Sequence, residues 1–173
     1  MEDDADLARR AGEGDRDAFA SLVRRHEGAV RRFLGRLTLG NGADDIAQDV
    51  FLKAWRMRGQ QRGEGSYKAW IMRIAWTSFL ETRRSAGRRL AREHASYEAS
   101  QVASAGVTRE ARIDLARALE ALDERERAAA QLCFAEGHSH GEAAAILGLP
   151  LGTLKSIAAR AKAQLAAALG ATE

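Results

Sequence analysis

Residues 137–165 read GHSHGEAAAILGLPLGTLKSIAARAKAQL, which is a short helical segment, a break and a second helical segment. The first helix is predicted over 141–147, with Ala144 and Leu147 facing inward. Gly148-Leu149-Pro150 forms the turn, because proline suits a position before or at the first turn of a helix. The second helix carries apolar side chains three or four residues apart, at Leu154, Ile157, Ala161 and Leu165. This pattern predicts a helix–turn–helix.

The polar side of the second helix carries hydroxyl groups and cations. A helix–turn–helix places the N-terminal half of its second helix in the major groove of DNA, where such groups reach phosphates and base edges. The predicted DNA contacts are Thr153, Lys155, Ser156 and Arg160. On spacing alone, a structural helix pair with a solvated face explains the motif equally well.

Two histidines precede the motif, and with Glu142 they form the pattern H-x-H-x-E. His138 and His140 are two residues apart, so they do not share one helical face. A zinc site needs three or four converging ligands, and no further ligand is evident. A capping or surface role is expected for these histidines, and no metal site is predicted.

The composition of the whole chain favours helices. Proline occurs once in 173 residues, aromatic residues make up 6%, and hydrophobic residues make up 46%. No β-hairpin pattern occurs, so the predicted fold is all-α. Residues 93–108 are small and polar and lack apolar periodicity, which indicates a flexible linker. We therefore expect two small helical domains, 1–92 and 109–173, joined by the linker 93–108.

Apolar periodicity and capping signals place the other helices. Helices are expected over 17–37 and 43–55, from near Ser66 to about Arg92, and over 109–122. Asn41 or Asp44 is expected to cap the helix at 43–55. Asp123 is expected to cap a further helix that ends at Gly137.

The helix at 43–55 has an acidic polar side, with Asp45, Asp49 and Lys53 spaced for i,i+4 contact. Asp44, Asp45 and Asp49 could be considered as a catalytic carboxylate cluster, but a place in the first helical turn explains two of them. One polar face suits protein docking better. No Ser/His/Asp grouping, phosphate-binding glycine loop or nucleophilic cysteine is evident, so neither enzyme activity nor a cofactor is expected.

The segment 72–92 is strongly basic, with six arginines and one acid, Glu81. Trp76 and Phe79 lie one turn before most of these arginines. Aromatic rings beside cations suit stacking on unpaired bases along a charged track. Burial of both rings in the core is the alternative.

Cysteine usage and hydropathy bound the environment. Cys133 is the one cysteine, so no intrachain disulfide can form, and it is expected to pack as a small hydrophobe. The N-terminus is acidic without an apolar core segment, and no apolar run approaches the length of a membrane span. We expect a cytoplasmic protein that does not interact with a membrane.

Four segments in order resemble bacterial sigma factors of the extracytoplasmic-function (ECF) group, the minimal relatives of sigma-70. DDIAQDVFLKAW is similar to the family's EDLVQETFLRAW, and YKAWIMRIAWTSFLETRR to FRAWLYRIARNLALDLLRR. DAFASLVRRHEGAVRRFLGRL resembles the opening helix of sigma domain 2. LDERERAAAQLCFAEGHSHGEAAAILGLPLGTLKSIAARA resembles sigma domain 4. The resemblance covers nearly the whole chain.

The resemblance implies a transcription initiation factor that binds core RNA polymerase and promoter DNA, with an anti-sigma factor as a further partner. Domain 4 would sit on the polymerase beta flap and place its second helix in the minus-35 element. The residues implied for docking on the beta-prime clamp helices are Asp45, Gln48, Asp49, Phe51 and Trp55. The residues implied for the minus-10 element are Lys68, Trp70, Arg73, Trp76, Thr77, Arg83 and Arg84.

The chain departs from the family pattern at three places. Trp76-Thr77 replaces an Arg-Asn pair whose asparagine commonly helps to capture a flipped minus-10 base, so a different base preference is expected. Ile157 and Ala159 replace an arginine and a histidine that can face phosphate, which predicts a weaker or altered minus-35 contact. Leu122-Asp123 replaces the usual Leu-Pro and exchanges one cap for another.

Two other functions compete with initiation. A sigma-like decoy would bind an anti-sigma factor without supporting initiation, and the departures at 76, 77, 157 and 159 keep this possibility open. An ordinary helix–turn–helix repressor would bind duplex DNA without polymerase, but it leaves the acidic helix DDIAQDVFLKAW unexplained.

Overall fold

A computed structural model describes residues 2–61, 65–90 and 109–170, and in these ranges the chain is helical with no β-strand. The all-α prediction is confirmed. The chain divides into two compact units, one formed by Met1–Leu34 and Gly42–Tyr97 and the other by Gly35–Asn41 and Glu98–Glu173. The predicted linker, 93–108, lies outside the described residues.

In the part of the first unit that the structure describes, there are four helices. They are α1 (Asp4–Gly12), α2 (Arg16–Leu37, of which the end groups with the second unit), α3 (Ala43–Arg56) and α4 (Tyr67–Leu90). A short 3-10 turn, Arg58–Gln60, follows α3. Large apolar side chains from all four helices are fully buried, among them Leu7, Phe33, Val50 and Phe79. The amphipathic periodicity of the helices therefore supplies one shared core.

Helix α1 was not predicted from the sequence, and polar contacts hold it against α2. Asp4 accepts a hydrogen bond from Arg25 at 2.8 Å and lies 2.7 Å from His26 Nε2. Burial alone would raise the pKa of Asp4, but these two bonds and charges lower it below its ordinary value. The Tyr67 ring of α4 packs on His26 at 5.2 Å, and burial raises the pKa of Tyr67.

The start of α3 differs from the prediction. Gly42 occupies the N-cap position at φ +70°, and no side chain caps the helix. The expectation that Asn41 or Asp44 caps it is therefore wrong, because the left-handed backbone at this position favours glycine. Asp44 pairs instead with Arg31 of α2.

The second unit contains α5 (Arg109–Glu120), α6 (Glu124–Ala130), α7 (His140–Leu147) and α8 (Leu151–Ala168). Helix α6 continues into one π-helical turn, Gln131–Ala135, and Gly137 follows at φ +74° as the predicted C-terminal glycine. Asp123 caps α6 in a capping box with Glu126, so the predicted cap is confirmed. The core includes Leu119, Leu122, Ala130 and Ala161.

A buried arginine closes the end of α5. Arg127 Nε donates to the carbonyl oxygen of Leu119 and Nη2 donates to that of Leu122, both at 2.8 Å. These carbonyls lie at a helix C-terminus, where a cation is favoured. Arg127 therefore fixes the turn from α5 to α6.

Candidate functional sites

Helix α3 exposes an acidic face, formed by Asp45, Gln48, Asp49 and Leu52. These residues recur every three or four positions, so they lie along one side of the helix. All four are exposed, and Leu52 has 55% of its surface accessible. Within the described residues, neither Asp45 nor Asp49 has a hydrogen-bond or ion-pair partner. The two carboxylates of this face are therefore open to solvent.

Two of the five predicted docking residues lie beside this face. Phe51 and Trp55 are half-buried, and the Trp55 ring lies 5.1 Å from that of Phe19. The guanidinium of Arg58 covers the same ring at 4.2 Å from its centroid, which is a cation–π distance. Trp55 therefore anchors α3 to its neighbours and presents only part of its ring.

Sequence reasoning missed Leu52. A signal was present, because Leu52 follows Asp45, Gln48 and Asp49 at helical spacing and lies on the side away from the buried row. An exposed leucine adds an apolar side chain to the acidic face.

Helix α4 exposes a second surface, the α4 row, formed by Arg73, Thr77 and Arg84. At 100° per residue these three positions fall within a narrow sector of the helix. The Thr77 hydroxyl donates to the carbonyl oxygens of Arg73 and Ile74, at 3.1 and 3.0 Å. Its oxygen can still accept a hydrogen bond from outside.

The other predicted minus-10 residues lie around the α4 row. Trp70 is half-buried and packs on Tyr67 at 5.4 Å, at the N-terminal end of the row. Arg83 is exposed on an adjacent side, whereas Lys68 is half-buried and nearly opposite the row. The structure therefore brings Trp70, Arg73, Thr77 and Arg84 together and does not bring Lys68 to them.

The expected stacking of Trp76 and Phe79 on bases is wrong. Their exposed fractions are 4% and 2%, and the two rings pack on each other at 5.7 Å. The core alternative holds for both, because both face the apolar side of α4. The Trp76 departure therefore changes the core beneath the α4 row.

An ion pair joins the two helices that carry these surfaces. Lys53 Nζ donates to Ser78 Oγ at 3.0 Å and pairs with Glu81. The i,i+4 contact expected between Asp49 and Lys53 is therefore replaced by one across helices. Glu81 is the acid of the basic segment, and pairing reduces its repulsion of a polyanion.

The second unit contains the predicted helix–turn–helix. Helices α7 and α8 meet at a bend of 105°, within the range typical of the motif. Ser139 caps α7 in a capping box with Glu142, and Gly148 ends it at φ +66°. The predicted inward positions, Ala144 and Leu147, are buried.

His138 and His140 lie in different surroundings. Glu142 is occupied by the Ser139 cap, His140 is exposed, and His138 is buried, which corrects the expected surface role for His138. In the described part of the chain, no group of three or more His, Cys, Asp or Glu side chains could hold a metal ion. Burial raises the pKa of the nearby Cys133 thiol, consistent with a packing role.

Helix α8 presents a broad exposed face, called here the α8 face. Small residues occupy its centre, namely Gly152, Ser156, Ala159 and Ala163. Thr153 and Arg160 line one flank, and Lys155 and Lys162 line the other. The structure thus exposes all four predicted DNA contacts. The centre of the α8 face is therefore low, with cations on both flanks.

Ile157 lies in the core and not on the α8 face. Its exposed fraction is 8%, and Leu154, Ala158 and Ala161 beside it are also buried. The expectation that Ile157 alters a phosphate contact is therefore wrong, because this position packs inward. Ala159 is exposed at the centre of the α8 face, where its small side chain projects little from the helix.

Arg160 is held by an acid from α6. Its Nε donates to Glu126 Oε1 at 2.6 Å. The Arg160 side chain is 60% exposed, whereas the Glu126 side chain is 7% exposed. A predicted DNA contact is thus tied to a buried carboxylate of the same unit.

Within the described ranges, no single helix is both long and apolar enough to cross a membrane, and α7 with α8 meets that criterion only as a bent pair.

Comparison with known families matches both units. The Sigma-70 region 2 family matches residues 22–89, and the Sigma-70, region 4 family matches residues 112–165. The ECF RNA polymerase sigma factor SigM of Mycobacterium tuberculosis is 38% identical over 170 residues, covering 96% of this chain and 85% of that protein. The ECF RNA polymerase sigma-E factor of Escherichia coli is 30% identical, covering 90% and 88%.

Solved structures give the same result. The sigma factor RpoE from Bartonella quintana, in complex with the anti-sigma factor NepR, matches with a TM-score of 0.80 and 29% identity, covering 90% of this chain and 98% of that one. CnrH in complex with the cytosolic domain of CnrY matches with a TM-score of 0.70 and 29% identity, covering 96% and 97%.

The described residues form an all-helical protein with a helix–turn–helix in one unit and an exposed acidic face in the other. The relatives make the class specific. This chain belongs to the sigma-70 family of bacterial transcription factors, in the extracytoplasmic-function group.

Proposed function

We propose that this protein is a transcription initiation factor that binds core RNA polymerase and directs it to promoters through their minus-10 and minus-35 elements. The observation that carries the proposal is the presence, in one sigma-70 chain, of an unpaired acidic face and a helix–turn–helix with a cation-flanked reading helix. A repressor needs only the second. The role is one of binding, with no reaction assigned to the chain.

The acidic face of α3 docks on the beta-prime clamp helices of the polymerase. Asp45, Gln48 and Asp49 supply charge and hydrogen bonds, and Leu52 supplies apolar contact. Phe51 and Trp55 contribute from the edge of the face. Unpaired carboxylates are available to a basic partner surface and steer its approach.

The α4 row contacts the minus-10 element. Arg73 and Arg84 supply positive charge along one line, with Thr77 between them and Trp70 at one end. Arg83 reaches the phosphates beside this line. Thr77 stands where relatives carry asparagine, so a base preference different from that of the relatives follows. Trp76 has no direct part, because it is buried.

Helix α8 reads the minus-35 element. Its small centre enters the major groove, where Ser156 meets the base edges. On one flank of the helix Thr153 and Arg160 contact the DNA, and on the other flank Lys155 contacts a phosphate.

Domain boundaries at 1–92 and 109–173, with a linker over 93–108, fit this division of labour. The two family matches fall inside the domain ranges, and the second domain sits on the beta flap. Since the sigma factor RpoE from Bartonella quintana was solved with the anti-sigma factor NepR, an anti-sigma factor is a further partner. The protein acts in the cytoplasm, where polymerase and chromosome meet.

Run-off transcription tests the proposal. Purified core polymerase and this protein are mixed with promoters selected from random DNA, and core polymerase alone is the control. We expect initiation from a defined promoter set. Failure to initiate from any promoter, combined with tight anti-sigma binding, would show that the protein is a decoy. Specific duplex binding without polymerase would show that it is a repressor.

A further inference from the structure

The ion pair between Glu126 and Arg160 crosses from α6 to α8. Its partners lie 34 residues apart in sequence, and they meet at 2.6 Å. The carboxylate is buried and the guanidinium is mostly exposed. A surface pair with two mobile partners contributes little, but here one partner is fixed.

The capping box fixes Glu126. Its Oε2 accepts a hydrogen bond from the backbone nitrogen of Asp123 at 3.0 Å, and its own nitrogen donates to Asp123 Oδ1 at 2.8 Å. Both carboxylate oxygens are therefore used, one by the cap and one by Arg160. The carboxylate cannot rotate away without breaking the start of α6.

Arg160 has most of its donors left. The bond to Glu126 uses Nε, and within the described residues the two Nη groups make no hydrogen bond. Because a guanidinium is planar, fixing Nε also fixes the plane in which the Nη groups lie. Paired Nη donors match two acceptors on one base, such as O6 and N7 of guanine.

The carboxylate also offsets the charge of Arg160, which weakens its general attraction to phosphate. Lys155 and Lys162 on the other flank have no such acid within the described part of the chain. The two flanks of the α8 face thus differ: one carries free cations and the other carries an oriented, partly neutralised fork.

We propose that Glu126 is a positioning residue that turns Arg160 from a phosphate clamp into a base-reading contact. This inference rests on the proposed role of α8 in reading the minus-35 element. Sequence specificity at the base pair under Arg160 then depends on an acid that does not itself touch DNA.

The test uses full-length protein in complex with core polymerase and compares the selected promoter with versions substituted at each minus-35 base pair. The variant Glu126→Gln keeps a capping box, since glutamine serves at this position, but removes the charge that holds Arg160. We expect a roughly tenfold loss of discrimination at one or two base pairs. The dependence of log K on log salt concentration should become steeper, by up to about 1 in the magnitude of its slope, because Arg160 is released toward phosphate.

Three controls make the result specific. Glu120→Gln removes an exposed acid of α5 and should change neither quantity. In an Arg160→Ala background, Glu126→Gln should have no further effect on discrimination. Arg160→Lys with Glu126 intact should also lose discrimination, so the idea stays testable if Glu126→Gln lowers the melting temperature.

Unchanged discrimination in Glu126→Gln, or an equal loss with and without Arg160, would overturn the inference while the wild-type protein still initiates normally. Absence of initiation by the wild-type protein would instead contradict the proposed function.

Discussion

In the first unit large side chains fill the core, whereas in the second unit alanine fills much of it. Among the described residues, only Leu132 and Leu154 of the largest fully buried side chains belong to the second unit. The second unit buries alanines on every helix from α5 to α8. Small side chains let helices approach closely but contribute less apolar burial. The fold of the second unit therefore depends more on two capping boxes and on the buried Arg127, which fix where its helices begin and end.

The binding surfaces differ in the same way. In the first unit, the acidic face lies on α3 and the α4 row lies on α4. The residues that form these two surfaces are exposed and lie outside the core. In the second unit, Glu126 both caps α6 and holds Arg160 of the α8 face. In the first unit the overlap between packing and the proposed recognition is limited to half-buried rings such as Trp55 and Trp70, whereas in the second unit Glu126 serves both the cap and Arg160.

The largest expected effect comes from the first core. Phe33→Ala should reduce the free energy of unfolding of the first unit by about 3–5 kcal/mol, because it removes a fully buried ring and leaves a cavity. Urea denaturation measures this loss. Leu132→Ala is the counterpart in the second unit and should cost about 2–3 kcal/mol. A smaller loss for Phe33→Ala than for Leu132→Ala would contradict the inference that large side chains stabilise the first core more than the second.

Charge reversal on the acidic face should come next. Asp49→Lys should weaken binding to core polymerase roughly tenfold or more, because it places a cation against a basic partner surface. The melting temperature should stay nearly constant, since Asp49 has no partner within the described residues. Glu27→Lys makes the same charge change on α2 and is the matched control in a titration of core polymerase. Equal effects of the two variants would remove the acidic face as the docking surface.

Loss of a cap should have a moderate effect, confined to stability of the second unit. Ser139→Ala removes the hydroxyl that accepts from the Glu142 nitrogen, which should cost about 1 kcal/mol. Ser156→Ala, at an exposed position inside α8, should cost much less. Thermal unfolding of both variants checks the difference. No loss in Ser139→Ala would mean that the alanine core alone holds α7.

The smallest expected effect concerns one phosphate contact. Lys155→Ala should weaken minus-35 binding nearly uniformly across sequences and lower the salt slope by about 1. Arg125→Ala removes an exposed cation of α6 and should leave the slope unchanged. Binding isotherms at several salt concentrations provide the measurement. A loss that depends on the DNA sequence would assign Lys155 to a base instead.

Periodicity and capping chemistry were sufficient to predict most of the fold. The inward row of α8 and the cap at Asp123 could be read locally, because a helix repeats every three or four residues and a capping box spans four. Helix α1 was missed because its apolar positions, Leu7, Ala8 and Ala11, are few and lie in an acidic segment. Gly42 occupies the N-cap position of α3 because the backbone there is left-handed, which local side-chain patterns do not reveal.

The sites were predicted less completely, because exposure is a tertiary property. The sequence placed Trp76 beside arginines, but only packing shows that its ring faces inward. Ile157 belongs to the apolar row of α8, but it also stands at a position where the family pattern has an arginine that can face phosphate. Only its burial decides between the two roles. The pairing of Arg160 with Glu126 joins two helices and leaves no trace in local spacing. Leu52 alone could have been found from its register with Asp45 and Asp49.

We infer that α4 and α8 of one protein read different promoter elements within the polymerase complex. The most direct measurement uses DNA cleavage by an iron chelate tethered to a single cysteine. The starting variant is Cys133→Ala, which removes the sole native thiol, and it carries either Thr77→Cys or Ser156→Cys. We expect cleavage in the minus-10 element from position 77 and in the minus-35 element from position 156. Cleavage of the same element from both positions, or cleavage without preference along the DNA, would contradict it.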